Sequence, residues 1–145
     1  MSEIGFYHLT RTSLHSALPA LLNRTLSAGE KAVIVCPDTQ QLKALDEALW
    51  LYEGWLPHGG PDFPHAEWQP IYLTTGPENP ANAKFLFRIG GVEAMPDGFV
   101  RIFDLFDGTE EADVLAARQR WRTAKAEGHT LTYWKQEDHG WVKAG

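Results

Sequence analysis

What the sequence has little of narrows its function first. One cysteine, Cys36, stands among 145 residues, so no intrachain disulfide can form and a cytoplasmic setting is expected. No apolar run approaches the roughly 20 residues that a membrane span needs. The opening from Met1 to Phe6 lacks the basic and apolar regions of a signal peptide. Basic charge is also short: 13 Lys and Arg against 19 Asp and Glu leave a net charge of −6. Such a chain repels nucleic acid globally, so contact with DNA is expected only indirectly. No G-x-G-x-x-G follows the first strand, and no Gly-rich loop ends in Lys-Ser or Lys-Thr; these are the two backbone cradles for nucleotide phosphates. His58 and His65, with Asp62 and Glu67 nearby, match no metal-ligand spacing. No Ser or Cys nucleophile pairs with a recognisable base. The expectation is therefore no catalytic residue, no metal and no cofactor.

The residues that are present build an ordinary core. Apolar residues make up 43% of the chain and charged residues 22%, which suits a single domain over residues 1–145. Glu3–Leu9 reads as a first strand. Leu14, Ala17, Leu18, Leu21, Leu22 and Leu26 then recur at helical spacing, with Ser16 favoured over Ser13 as N-cap because Pro19 fits only a first turn. Gly29 closes that helix. Lys31–Cys36 is apolar on both faces, as an inner strand of a parallel sheet must be. Thr39 is placed to cap a second helix carrying Leu42, Leu45, Leu49 and Trp50 on one side. Strands are expected at Trp68–Leu73, Lys84–Ile89 and Val100–Phe106. A helix is expected from a Thr109 cap to Gly128, followed by Thr130–Lys135 paired with Trp141–Lys143. Alternating strands and helices imply an α/β fold: a three-layer, mostly parallel central sheet flanked by helices, Rossmann-like without the nucleotide motif.

Two places stand out as candidate binding sites. On the last helix, Val114, Ala117, Trp121 and Ala124 form an apolar stripe, and Arg118, Arg122 and Lys125 flank Trp121 at three- and four-residue spacing. With Phe106 and Trp134 as further wall, this predicts a small apolar pocket rimmed by guanidinium groups. That chemistry suits an acidic peptide ending in an aromatic residue; the plainer alternative is a packed amphipathic helix whose cations complement its dipole. Six of the thirteen Lys and Arg lie from Arg118 onward, a charge asymmetry that points to an acidic partner. The second place is the Gly- and Pro-rich segment from 53 to 67, where Trp50, Trp55, Leu56 and Phe63 cluster; such aromatics either anchor a partner or cap a sheet edge. Asp46-Glu47 reads as a solvated helix face.

Several motifs, in order, resemble the chi subunit of bacterial DNA polymerase III. They are Phe6-Tyr7-His8-Leu9, Leu45-Asp46-Glu47-Ala48-Leu49-Trp50, Leu56-Pro57-His58, Pro70-Ile71, Asp104-Leu105-Phe106-Asp107, Ala117-Arg118-Gln119-Arg120-Trp121, Gly128-His129-Thr130-Leu131 and Tyr133-Trp134. The resemblance implies a clamp-loader accessory subunit that performs no catalysis. It implies binding of the acidic C-terminal tail of single-stranded DNA-binding protein, which ends in Pro-Phe, at Phe106, Val114, Arg118, Trp121 and Arg122, with Lys125 or Arg120 adding charge where the family can carry Lys in place of Val114. It also implies a contact with the psi subunit, or a helicase, at Trp50, Trp55, Pro57 and His58. The rivals are a small nucleotide-binding or hydrolytic α/β domain and a direct single-stranded DNA binder.

Overall fold

The computed structural model describes residues 3–12, 14–51, 58–59, 69–76, 79–92, 99–137 and 140–143. The elements run β1 (Glu3–Leu9), α1 (Leu14–Ser27), β2 (Ala32–Val35), α2 (Thr39–Leu51), β3 (Ile71–Thr74), β4 (Phe85–Arg88), β5 (Arg101–Asp107), α3 (Glu111–Ala126), β6 (Thr130–Glu137) and β7 (Gly140–Lys143). The strands form one sheet in the order β3-β2-β4-β5-β1-β6-β7. All neighbours are parallel except β6 and β7, which pair as the expected antiparallel hairpin. The inner strands β2 and β4 are almost wholly buried, which is why β2 is apolar throughout and β4 is apolar up to Arg88.

Strand parity divides the core into two layers. Leu9, Ile34, Leu73, Phe87, Phe103 and Leu105 pack beneath α1 and α2, against Leu18, Leu21, Leu22, Leu45 and Leu49. Ile4, Phe6, Val35, Leu86, Ile102 and Phe106 face α3, against Ala117 and Ala124. Each large apolar side chain buried in these layers contributes about 1.5–3 kcal/mol. After β1 the chain crosses one face through α1; after β5 it crosses the opposite face through α3. Their courses part between β5 and β1, so a crevice opens there at the carboxyl ends of the strands. That is the topological switch point at which open α/β sheets bind ligands.

Four local expectations are corrected. Helix α1 begins at Leu14, so Pro19 lies inside it; the buried row of Ala17, Leu18, Leu21 and Leu22 outweighs one missing N–H. Ser13 lies outside the described residues. Asp38, not Thr39, caps α2: the Gln41 N–H donates to its Oδ1 at 2.8 Å. Helix α3 takes Glu110 as N-cap without a side-chain bond, because Thr109 is turned back to donate its N–H and hydroxyl to Asp107 Oδ1. Trp50 does not share the leucine face of α2 and is 62% exposed.

Candidate functional site: an aromatic notch beside Arg118

Alternation places the walls of the notch. On β1, Phe6 and His8 point to the α3 side; Phe106 does so on β5 and Tyr133 on β6. Across from them α3 supplies Val114, Ala117, Arg118 and Trp121. These elements enclose a cavity of about 190 Å³ lined by Phe6, Phe106, Val114, Ala117, Arg118, Trp121 and Tyr133. Trp121 meets Phe6 edge-on at 5.3 Å between ring centroids and Tyr133 at 6.0 Å, a geometry that orders the rings. The Tyr133 hydroxyl is hydrogen-bonded to His8 Nδ1. Burial pushes the Tyr133 phenol above its ordinary pKa, and the nearby Arg118 charge opposes that shift. The Arg118 guanidinium is therefore close enough to act electrostatically at the notch.

Of the predicted residues, the structure brings Phe106, Val114, Arg118 and Trp121 together. Arg122 and Lys125 are exposed on α3 and do not line the cavity; they continue the cationic stripe from Arg118 at four- and three-residue steps. Trp134 belongs to the opposite face, where it stacks on Tyr7 at 6.1 Å; its neighbour Tyr133 is the wall instead. Phe6 and Tyr133 were missed as site residues, although their parity with Phe106 across adjacent strands was a usable signal.

Arg120 offers nothing to the rim of this notch. It is buried, and its Nε and Nη2 donate to Asp104 Oδ2 and Oδ1 at 2.6 and 2.8 Å. Arg88 Nη2 donates to the same carboxylate at 2.9 Å. One aspartate thus holds two guanidinium groups between α3 and the sheet.

The second predicted surface is only partly described. Trp55, Pro57 and the aromatic segment around Phe63 lie outside the described residues. Trp50 and Leu51 are exposed at the end of α2, Leu51 by 76%. His58 is not on the surface: it is 2% exposed, with Nε2 2.9 Å from Asp46 Oδ1 and its ring 4.6 Å from that of Trp50. Asp46 therefore lies against a buried imidazole and is more than a solvated helix residue. Trp50 and the aromatic notch stand on helices that cover opposite faces of the sheet.

The turn after β1, where nucleotide-binding sheets cradle phosphate, is already filled. Gln136 Oε1 accepts the N–H groups of Thr10, Arg11 and Thr12 at 3.2, 2.8 and 3.0 Å, and Gln136 Nε2 donates to Thr12 Oγ1. A phosphate there would have to displace that amide. Among the described residues no group of three or more His, Cys, Asp or Glu side chains is placed to hold a metal ion, and no helix is long and apolar enough to cross a membrane.

Comparison with known proteins agrees with this architecture. The family described as "DNA polymerase III chi subunit, HolC" matches residues 1–132. A curated relative, the "Probable DNA polymerase III subunit chi" of Rickettsia prowazekii (strain Madrid E), is 32% identical over 91 residues, 61% of this chain and 55% of the relative. The match thus spans about half the length of that relative.

Proposed function

The chain belongs to the DNA polymerase III chi subunit family, and on that premise we propose that it is a non-catalytic replication subunit that captures an acidic peptide tail in the notch beside Arg118. The observation that carries this reading is the cavity itself: four aromatic rings, Val114 and Ala117 form an apolar socket with one guanidinium at its edge. An aromatic side chain fills such a socket, and a terminal carboxylate pairs with Arg118. Arg122 and Lys125 extend positive charge along α3 for acidic residues upstream of the terminus. The tail of single-stranded DNA-binding protein, ending in Pro-Phe, has this chemistry. Many tails on coated DNA would add avidity to a modest contact.

The exposed Trp50 and Leu51 support a second contact, with the psi subunit or a helicase, on the other face of the molecule. A two-faced adaptor of this kind bridges coated DNA to the clamp loader. Direct binding of single-stranded DNA fits the notch less well. Its rings pack edge-to-face into one socket rather than presenting successive stacking platforms.

The test is a pull-down of this chain with tail-bearing and tail-deleted single-stranded DNA-binding protein. Capture by the tail-bearing form alone is expected. Equal capture of both forms, or capture of naked oligonucleotide with equal strength, overturns the reading.

A further inference from the structure

Strand register places a second cation at the mouth of the notch. Phe106 of β5 stands level with His8 of β1, and His8 stands level with Lys135 of β6. Lys135 follows Tyr133 by two residues, so alternation turns both side chains to the face that α3 covers. Neighbouring strands are about 4.8 Å apart, so the Lys135 stem starts beside His8, one pleat along from the Tyr133 wall. Its ammonium is exposed.

Arg118 reaches the same place from the helix. Burial holds the His8 imidazole below its ordinary pKa, the Gly108 backbone opposes this, and the charges of Lys135 and Arg118 both add to it. Both cations are thus felt at one point, behind Phe106 and Tyr133. Among the described residues neither Lys135 nor Arg118 has a hydrogen bond or an ion pair. Two like charges therefore flank one edge of an apolar cavity with no carboxylate between them. An anion placed there turns their repulsion into two attractions, and the low-dielectric walls focus the field. Lys143 is the contrast within the same hairpin. It pairs with Trp134, whose ring stacks on Tyr7 on the opposite face, so it faces away from the notch.

We propose that Lys135 is a specificity-determining residue of the notch, forming with Arg118 a two-cation clamp on the terminal carboxylate of the bound peptide. This rests on the capture reading above and adds to it a strong preference for a free chain end. The guanidinium forks onto the carboxylate oxygens from the helix, and the ammonium brings a mobile point charge from the sheet. An aromatic residue inside a chain, even among acidic neighbours, presents a neutral carbonyl at this position and forfeits both pairings. Lys135 stands beyond residue 132, where the family match ends, so the match itself carries no expectation for it.

The test is a calorimetric titration of the full chain with an acidic peptide ending in Pro-Phe, as free acid and as amide, against wild type, Lys135→Ala and Lys143→Ala. Each variant removes one positive charge from the same hairpin, so the effect of net charge is common to both. Lys135→Ala should weaken the free acid roughly three- to tenfold and shrink the preference for free acid over amide by a like factor. Lys143→Ala should leave that preference unchanged. The second readout is the His8 imidazole, titrated by proton NMR: saturating free-acid peptide should raise its pKa, as a neighbouring carboxylate does, and the amide should raise it less. A wild type that binds neither peptide overturns the capture reading and this inference together. Binding to wild type with an undiminished free-acid preference in Lys135→Ala, an equal loss of preference in both variants, or an equal rise of the His8 pKa with both peptides overturns the clamp and leaves the capture reading standing.

Discussion

Asp104 joins layers that would otherwise repel. It stands on β5, 1% exposed, and receives Arg88 from β4 and Arg120 from α3. Removing its charge leaves two buried guanidinium groups without their shared counterion. Asp104→Asn is expected to destabilise the fold by about 3–5 kcal/mol, read from urea unfolding midpoints at constant slope; a loss within 0.5 kcal/mol, the order of an ordinary surface substitution, would refute that role. His8 makes a pH-dependent contribution. Burial pushes its imidazole below the ordinary histidine value of about 6.5; the Gly108 backbone opposes this, and the charges of Lys135 and Arg118 add to it. The unfolded chain therefore takes up a proton at higher pH than the folded one. The resulting stability is fully present above about pH 6.5 and is lost as pH falls through the lower folded value. Thermal melts at pH 7 and pH 5 should show a larger fall in Tm for the wild type than for His8→Gln, and equal falls would remove the assignment. Gly108 is tied to the same residue, because a Cβ there would stand 1.9 Å from His8 Cδ2. Gly108→Ala should displace the imidazole and alter the Tyr133 wall of the notch.

Helix ends and strand parity decide the architecture at the scale of elements. Asp38→Ala removes the side-chain cap of α2 and is expected to cost about 1 kcal/mol, measurable as a shift in Tm. The fold class, the strand order in sequence and the terminal hairpin were legible in the chain because burial writes itself as apolar periodicity: Ala32–Val35 is apolar throughout, and Thr130–Lys135 alternates. The apolar stripe of α3 was equally legible, and with it Val114, Arg118 and Trp121. What was not legible came from contacts distant in sequence. Nothing local distinguishes Arg120, bonded to a strand sixteen residues away, from its exposed neighbours Arg118 and Arg122. Trp134, expected as further wall, faces the other side of β6 by strand parity, and Tyr133 lines the cavity. The proline in α1 and the Thr109 turn show local preference yielding to packing and to a competing hydrogen bond.

The whole molecule is acidic, yet six of its thirteen Lys and Arg residues lie on and after α3. On the proposed reading a tail would be held there partly by ions, so raising salt should weaken capture several-fold, while the apolar socket would retain some binding. Trp50→Ala, on the other side of the sheet, should leave tail affinity unchanged and weaken only the proposed second contact. The most direct measurement is a calorimetric titration with an acidic peptide ending in Pro-Phe, its carboxylate free or amidated, against wild type and Arg118→Ala. The account predicts that Arg118→Ala weakens the free-acid peptide by about 1–3 kcal/mol and that amidation costs much less in the variant than in the wild type. Equal affinity of the two proteins for the free-acid peptide would contradict it.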